Sequence, residues 1–151
     1  MLNRIKTLFK ENSVKVSEPN KDELQAAAAA LLVEAACMDG NFDDQERKSI
    51  FILLKQHFNL SDEESSTLLV EAEKLIKNAG DLYTFTRVIK DKYEPNQRIV
   101  LIEMLWEVAF ADGNVDYYEA NLISRVAGLI FVNDVERGEA RKRVMARLGI
   151  S

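Results

Sequence analysis

Asp39, Asn41 and Asp43 occupy alternate positions of the stretch DGNFD, and Asp112, Asn114 and Asp116 do the same in DGNVD. Side-chain oxygens at that spacing in a tight loop can converge on one hard cation, as in the first half of a helix–loop–helix calcium site. The likeness to such a loop then stops. Its sixth position, which needs Gly, is Asp44 or Tyr117, and its twelfth, which needs a bidentate Glu, is Ile50 or Ile123. A standard calcium hand is excluded. The spacing predicts instead an oxygen-only site for Ca²⁺, Mg²⁺ or Mn²⁺, completed by Glu46 or Glu119 or by carboxylates of the other copy. Zinc fits poorly, because the motif offers neither thiolate nor imidazole.

The same acids also have work to do in a helical chain. Asp43 and Asp116 precede apolar-periodic runs, where a side-chain oxygen caps the first turn. Glu46 and Glu119, three residues on, complete a capping box. Asp39 and Asp112 fall at helix C-terminal ends, where the macrodipole disfavours negative charge; they are held either by turn N–H groups or by a cation. Glu34 lies in a helix whose stretch from residue 26 to 38 has no other charge. A buried carboxylate needs a partner, and Arg47 or Arg98 would serve. Glu107, its match, has Glu103 one turn back on nearly the same face, which predicts a wetter surface there.

What positions these residues is an internal repeat. Residues 33–46, VEAACMDGNFDDQE, align without a gap on residues 106–119, WEVAFADGNVDYYE. Each copy reads as helix, tight turn, helix, with Gly40 or Gly113 at the left-handed position that ends the entering helix. Around the repeat, helical periodicity and capping patterns predict helices over 20–38, 43–58, 61–78, 81–93, 95–111, 116–131 and 133–148. Ser61 with Glu64 and Asn133 with Glu136 are further capping boxes, and Pro95 sits in a first turn. No stretch alternates as a strand does. The expected fold is all-α, a compact bundle of seven or eight helices in two pseudo-symmetric halves, about 20–79 and 95–148, within one domain over 20–151.

Residues 1–19 form an amphipathic segment and linker. Leu2, Ile5, Leu8 and Phe9 lie on one side of a short helix over 2–10 and Arg4, Lys6 and Lys10 on the other, which suits either docking on the chain's own core or peripheral membrane contact. The formal net charge of −5 argues against a nucleic-acid binder. Cys37, the single cysteine, is expected as a buried structural thiol, and the lack of a disulfide framework fits a cytoplasmic location, with the inner face of the membrane as the peripheral variant. Nothing here spans a bilayer. His57, the sole histidine, sits near a helix end with Ile130 as its match, and Trp106 is expected in the core. Arg87, Lys90, Lys92 and Arg98 make the connector between the halves the most basic stretch of the body. With no nucleophile–base pair and no phosphate-binding loop, the sequence is read as non-enzymatic.

The pattern A-x-x-D-G-x-x-D-x-x-E, carried at Ala36, Asp39, Gly40, Asp43 and Glu46 and again at Ala109, Asp112, Gly113, Asp116 and Glu119, resembles the tellurite-resistance TerB family. It also resembles the related N-terminal region of the membrane-anchored co-chaperone DjlA. The resemblance implies a helical bundle with an internal pseudo-two-fold, an acidic metal-associated surface and a part in stress-response complexes with other proteins, without an established catalytic activity. The functional expectation is a metal-linked interaction module working through the two acidic turns; the alternative is a structural adaptor or membrane-peripheral scaffold whose acids only cap helices.

Overall fold

The computed structural model describes residues 21–37, 43–79, 82–111 and 117–150. Within them lie seven helices: α1 (Lys21–Cys37), α2 (Asp44–Phe58), α3 (Asp62–Ala79), α4 (Leu82–Lys92), α5 (Pro95–Phe110), α6 (Tyr117–Leu129) and α7 (Asp134–Leu148), and no strand among the described residues. The all-α expectation holds. Residues 2–10 lie outside the described residues.

α1 and α5 organise the bundle. α1 packs on α2, α3, α4 and α5, and α5 packs on α1, α2, α6 and α7. Each is therefore covered over most of its length, and each is apolar over most of its circumference, as a central helix must be. Ala26 to Val33 are buried without a break, and α5 is buried at every position from Leu101 to Phe110 except Glu107. The alanines from 26 to 30 favour helix and, lacking bulk, let the four neighbours approach closely. Replacing one by Leu would overpack the centre, at a cost of about 1–3 kcal/mol.

The halves correspond helix for helix. α1, α2 and α3 pack pairwise on one another, as do α5, α6 and α7, while α4 bridges α1 and α6. The first residues of α1 and α5 line one groove together, and their last turns line a small cleft together. The two central helices thus run side by side in the same direction.

Local chemistry sets the boundaries. The Asp43 carboxylate accepts from Glu46 N–H at 2.8 Å. Ser61 and Glu64 exchange both bonds of their box, at 2.9 and 3.1 Å, and Asn133 and Glu136 do so at 3.1 and 2.8 Å. Gln97 accepts from Glu94 N–H at 2.8 Å, fixing the entry to α5 ahead of Pro95. At the other ends, α2, α6 and α7 close with a residue in the left-handed region, Asn59, Phe131 and Gly149. The following N–H in each case reaches back five residues: Leu60 to Lys55 O, Val132 to Ala127 O and Ile150 to Met145 O. These are Schellman closures.

The closures correct one correspondence. Aligned on the left-handed residue, Phe131 matches Asn59 and Ile130 matches Phe58, so the stretch from the start of α6 to its closing residue is one residue shorter than that of α2 and Ile130 is not the counterpart of His57. Cys37 is a second correction: it is exposed, because it falls on the last turn of α1 where the helix leaves its neighbours. Trp106 packs in the core as expected, 5% exposed, stacked on Phe110 with Arg141 across its face.

Phe131 adopts φ 62° and is 71% exposed; Lys90 lies 5.7 Å from its ring centre. A left-handed conformation costs a bulky L-residue roughly 1–2 kcal/mol, and the exposed cation–ring contact returns only about 0.5–1 kcal/mol. Phe131→Asn, copying Asn59, should therefore raise stability in urea denaturation by up to about 1 kcal/mol.

Candidate functional site

The repeated turns leave from neighbouring points. Ala35 and Ala36 at the end of α1, Val108 and Ala109 at the end of α5, Leu122 and Ile123 of α6 and Glu46 of α2 line one cleft of about 20 Å³. Glu46, in the first copy of the motif, thereby faces the helices of the second copy across the pseudo-two-fold.

Of the residues expected to hold a cation, Asp43 and Glu46 are described. Asp43 spends Oδ1 on its cap, stands exposed and leaves its second oxygen uncommitted; Glu46 is half-buried and engaged. Asp39, Asn41, Asp112, Asn114 and Asp116 lie outside the described residues. Glu119 falls on the first turn of α6, with its side chain outside them too. Among the described residues no group of three or more His, Cys, Asp or Glu side chains is placed to hold a metal ion.

The helical carboxylates are resolved differently in the two halves. Glu103 is 9% exposed; Arg143 Nε donates to one of its oxygens at 3.1 Å and Arg147 Nη1 to the other at 2.6 Å. Arg147 also donates through Nη2 to Glu107, which has His57 Nε2 on its other flank at 3.6 Å. An acid pair one turn apart on α5 is clamped by an arginine pair one turn apart on α7. The expectation of a wetter face beside Glu107 is wrong: both carboxylates are largely covered, and the guanidinium groups neutralise what burial would otherwise penalise. Burial pushes the Glu107 carboxyl up, but the donors and charges of His57 and Arg147 outweigh it and hold its pKa below the usual carboxylate range. Arg147 is raised in turn, chiefly by its bond to Glu103.

In the first half Glu34 is half-buried and engaged, and both arginines expected there have further partners. Arg47 binds Glu73 of α3, its Nη2 at 2.9 Å and its Nε at 3.2–3.3 Å from the two oxygens. Arg98 instead donates to two carbonyls, Tyr93 O at 3.0 Å and Ile130 O at 3.3 Å, tying the α4–α5 junction to the end of α6. Aligned on the caps Ser61 and Asn133, the α3 positions matching Arg143 and Arg147 are Glu71 and Leu75. The clamp belongs to one half only. It was legible in principle, since Glu103 with Glu107 and Arg143 with Arg147 are complementary pairs at one-turn spacing on two amphipathic stretches.

Removing Arg147 should expose this. Arg147→Met leaves Glu107 and one oxygen of Glu103 without their guanidinium and should cost about 1–3 kcal/mol in urea denaturation; in Glu103→Gln the same substitution should cost measurably less. Since Glu107 ionises more readily in the folded state than in the unfolded one, its contribution is complete above the unfolded pKa and lost as pH falls through the folded pKa. Glu107→Gln should flatten the acid side of the stability–pH curve.

No curated protein and no solved structure matches the chain. The family model described as tellurite resistance protein TerB matches residues 25–142, from the start of the buried alanines to the middle of α7. That span takes in both copies of the turn and the helices that deliver them, and it shows that the chain belongs to the TerB tellurite-resistance family.

Proposed function

We propose that this TerB-family chain is a non-enzymatic, metal-linked interaction module whose working part is the pair of acidic turns. The observation that supports the reading best is the shared cleft of Ala36, Ala109, Glu46 and Ile123: the helix ends leading into both turns stand together, so carboxylates from the two copies can serve one ion. Asp43 adds to it. Capping uses one of its two oxygens, so the same residue can finish α2 and still offer a ligand to Ca²⁺, Mg²⁺ or Mn²⁺. The ion would tie the two turns to each other and present an acidic face to a partner protein of a stress-response assembly.

A second surface is suited to protein contact. Phe131 and Val135 are 71% and 68% exposed, with Lys90 beside the first and the exposed Arg87 one turn before it on α4. Large apolar side chains that stay uncovered beside cations fit the adaptor reading, in which the basic connector recruits a partner.

Calorimetric titration with Ca²⁺, Mn²⁺ and Mg²⁺ tests the metal link: Asp39→Ala and Asp112→Ala should each abolish or weaken binding without loss of fold. Asp43→Asn separates the two roles of that residue. Asn caps as well as Asp, so stability should change by less than about 0.5 kcal/mol, while cation affinity falls. Unaltered titration curves in all three variants would leave the acids as helix caps alone.

A further inference from the structure

Among the described residues the pseudo-two-fold has one unmatched member. α4, which precedes α5, packs on α1 and α6, burying Phe85, Val88 and Ile89 there. The symmetry exchanges α1 with α5 and α2 with α6, so the counterpart of α4 would precede α1 and lie on α5 and α2. At that place the structure has an apolar groove of about 310 Å³. Its walls are His57 and Phe58 at the end of α2, Val100 and Met104 on α5, and Leu24 and Ala28 on α1. Val100 is 40% exposed, an apolar β-branched side chain facing no described neighbour that covers it.

The sequence before α1 carries the pattern of α4. Leu82, Phe85, Val88 and Ile89 are spaced as Leu2, Ile5, Leu8 and Phe9 are, and Lys90 follows as Lys10 does. This is the i, i+3, i+6, i+7 spacing of a helix with one buried stripe. The connection differs in length: residues 90–94 join α4's apolar set to α5, whereas residues 10–20 join Phe9 to α1. A chain of that length reaches up to about 35 Å, and the groove begins within the first two turns of α1, so the longer connection places no restriction on docking.

We propose that residues 2–10 fold into this groove as the counterpart of α4 and complete the pseudo-two-fold. Arg4 and Lys10 then take the places of the exposed Thr84 and the partly exposed Lys90, while Lys6 takes that of the buried Thr86 and lays its aliphatic stem along the groove with its ammonium at the rim. The occupant is the chain's own segment, and the apolar side that would otherwise meet a membrane is spent on Phe58, Val100 and Met104.

A nitroxide on Thr7→Cys in the full-length Cys37→Ser chain tests the placement, because Thr7 matches the exposed Arg87 and leaves the apolar stripe intact. The methyl resonances of Val100 and Met104 should be broadened more strongly than those of Leu122 and Ile123 at the opposite end of the bundle. Adding Ile5→Glu and Leu8→Glu should abolish that difference and lower the urea midpoint of the unlabelled chain. Equal broadening at both ends, or a difference that survives the two glutamates, overturns the proposal. So does flotation of the full-length chain with phosphatidylcholine–phosphatidylglycerol vesicles while Val100 and Met104 remain sharp, which would make residues 2–10 a membrane contact.

Discussion

Two helices that are apolar over most of their surface are the constraint on this fold. α1 and α5 can exist in water only if their apolar surface is covered, and the chain supplies most of the cover twice, with α2 and α3 on one and α6 and α7 on the other. A carboxylate placed on such a helix cannot escape to solvent by rotation. On α5 it must be met where it stands, and the guanidinium groups of α7 meet it. The ion pairs of Glu103 and Glu107 are thus a consequence of the apolar packing: they repair the cost of acids on a helix that packing has enclosed. They also fix the register of α7 along α5 more sharply than side-chain packing alone would.

The same constraint explains how the repeated turns are delivered. Because α1 and α5 lie side by side in one direction, whatever follows them emerges at one end of the bundle. Glu46 then sits between the halves rather than over its own. A duplicated helix–turn–helix folded in the opposite sense would have put its two turns at opposite poles.

Much of the architecture was readable from the residues, for reasons that are local. Ser61 with Glu64 and Asn133 with Glu136 satisfy orphan amides within one turn, so three-residue spacing suffices to find them. The apolar stretches of α1 and α5 were readable as helices, but their central position was not, since periodicity says which face is apolar and not how many neighbours surround it. The arginine clamp escaped for the same reason: Arg143 and Arg147 meet Glu103 and Glu107 across 40 residues of chain, and one-turn spacing marks the two pairs as complementary without saying that their helices pack together. Cys37 was misplaced because a thiol beside an alanine run looks buried until the helix end is located. Phe131 was missed because a left-handed residue is ordinarily announced by Gly or Asn, and here the announcement is a phenylalanine. Of the candidate metal site, Asp43 was legible as a cap, and the cleft beside Glu46 was not, being made by both halves at once.

The clamp also breaks the equivalence of the two copies. On α5 the acid one turn before the motif has its charge matched by Arg147, whereas the corresponding helix α1 packs against an α3 that carries Glu71 and Leu75 where those arginines stand. The helix leading into the first turn therefore lacks, at those two α3 positions, the guanidinium groups that meet the helix leading into the second. The two copies of one motif thus stand in unequal surroundings, and equivalent substitutions on α1 and α5 meet different neighbours.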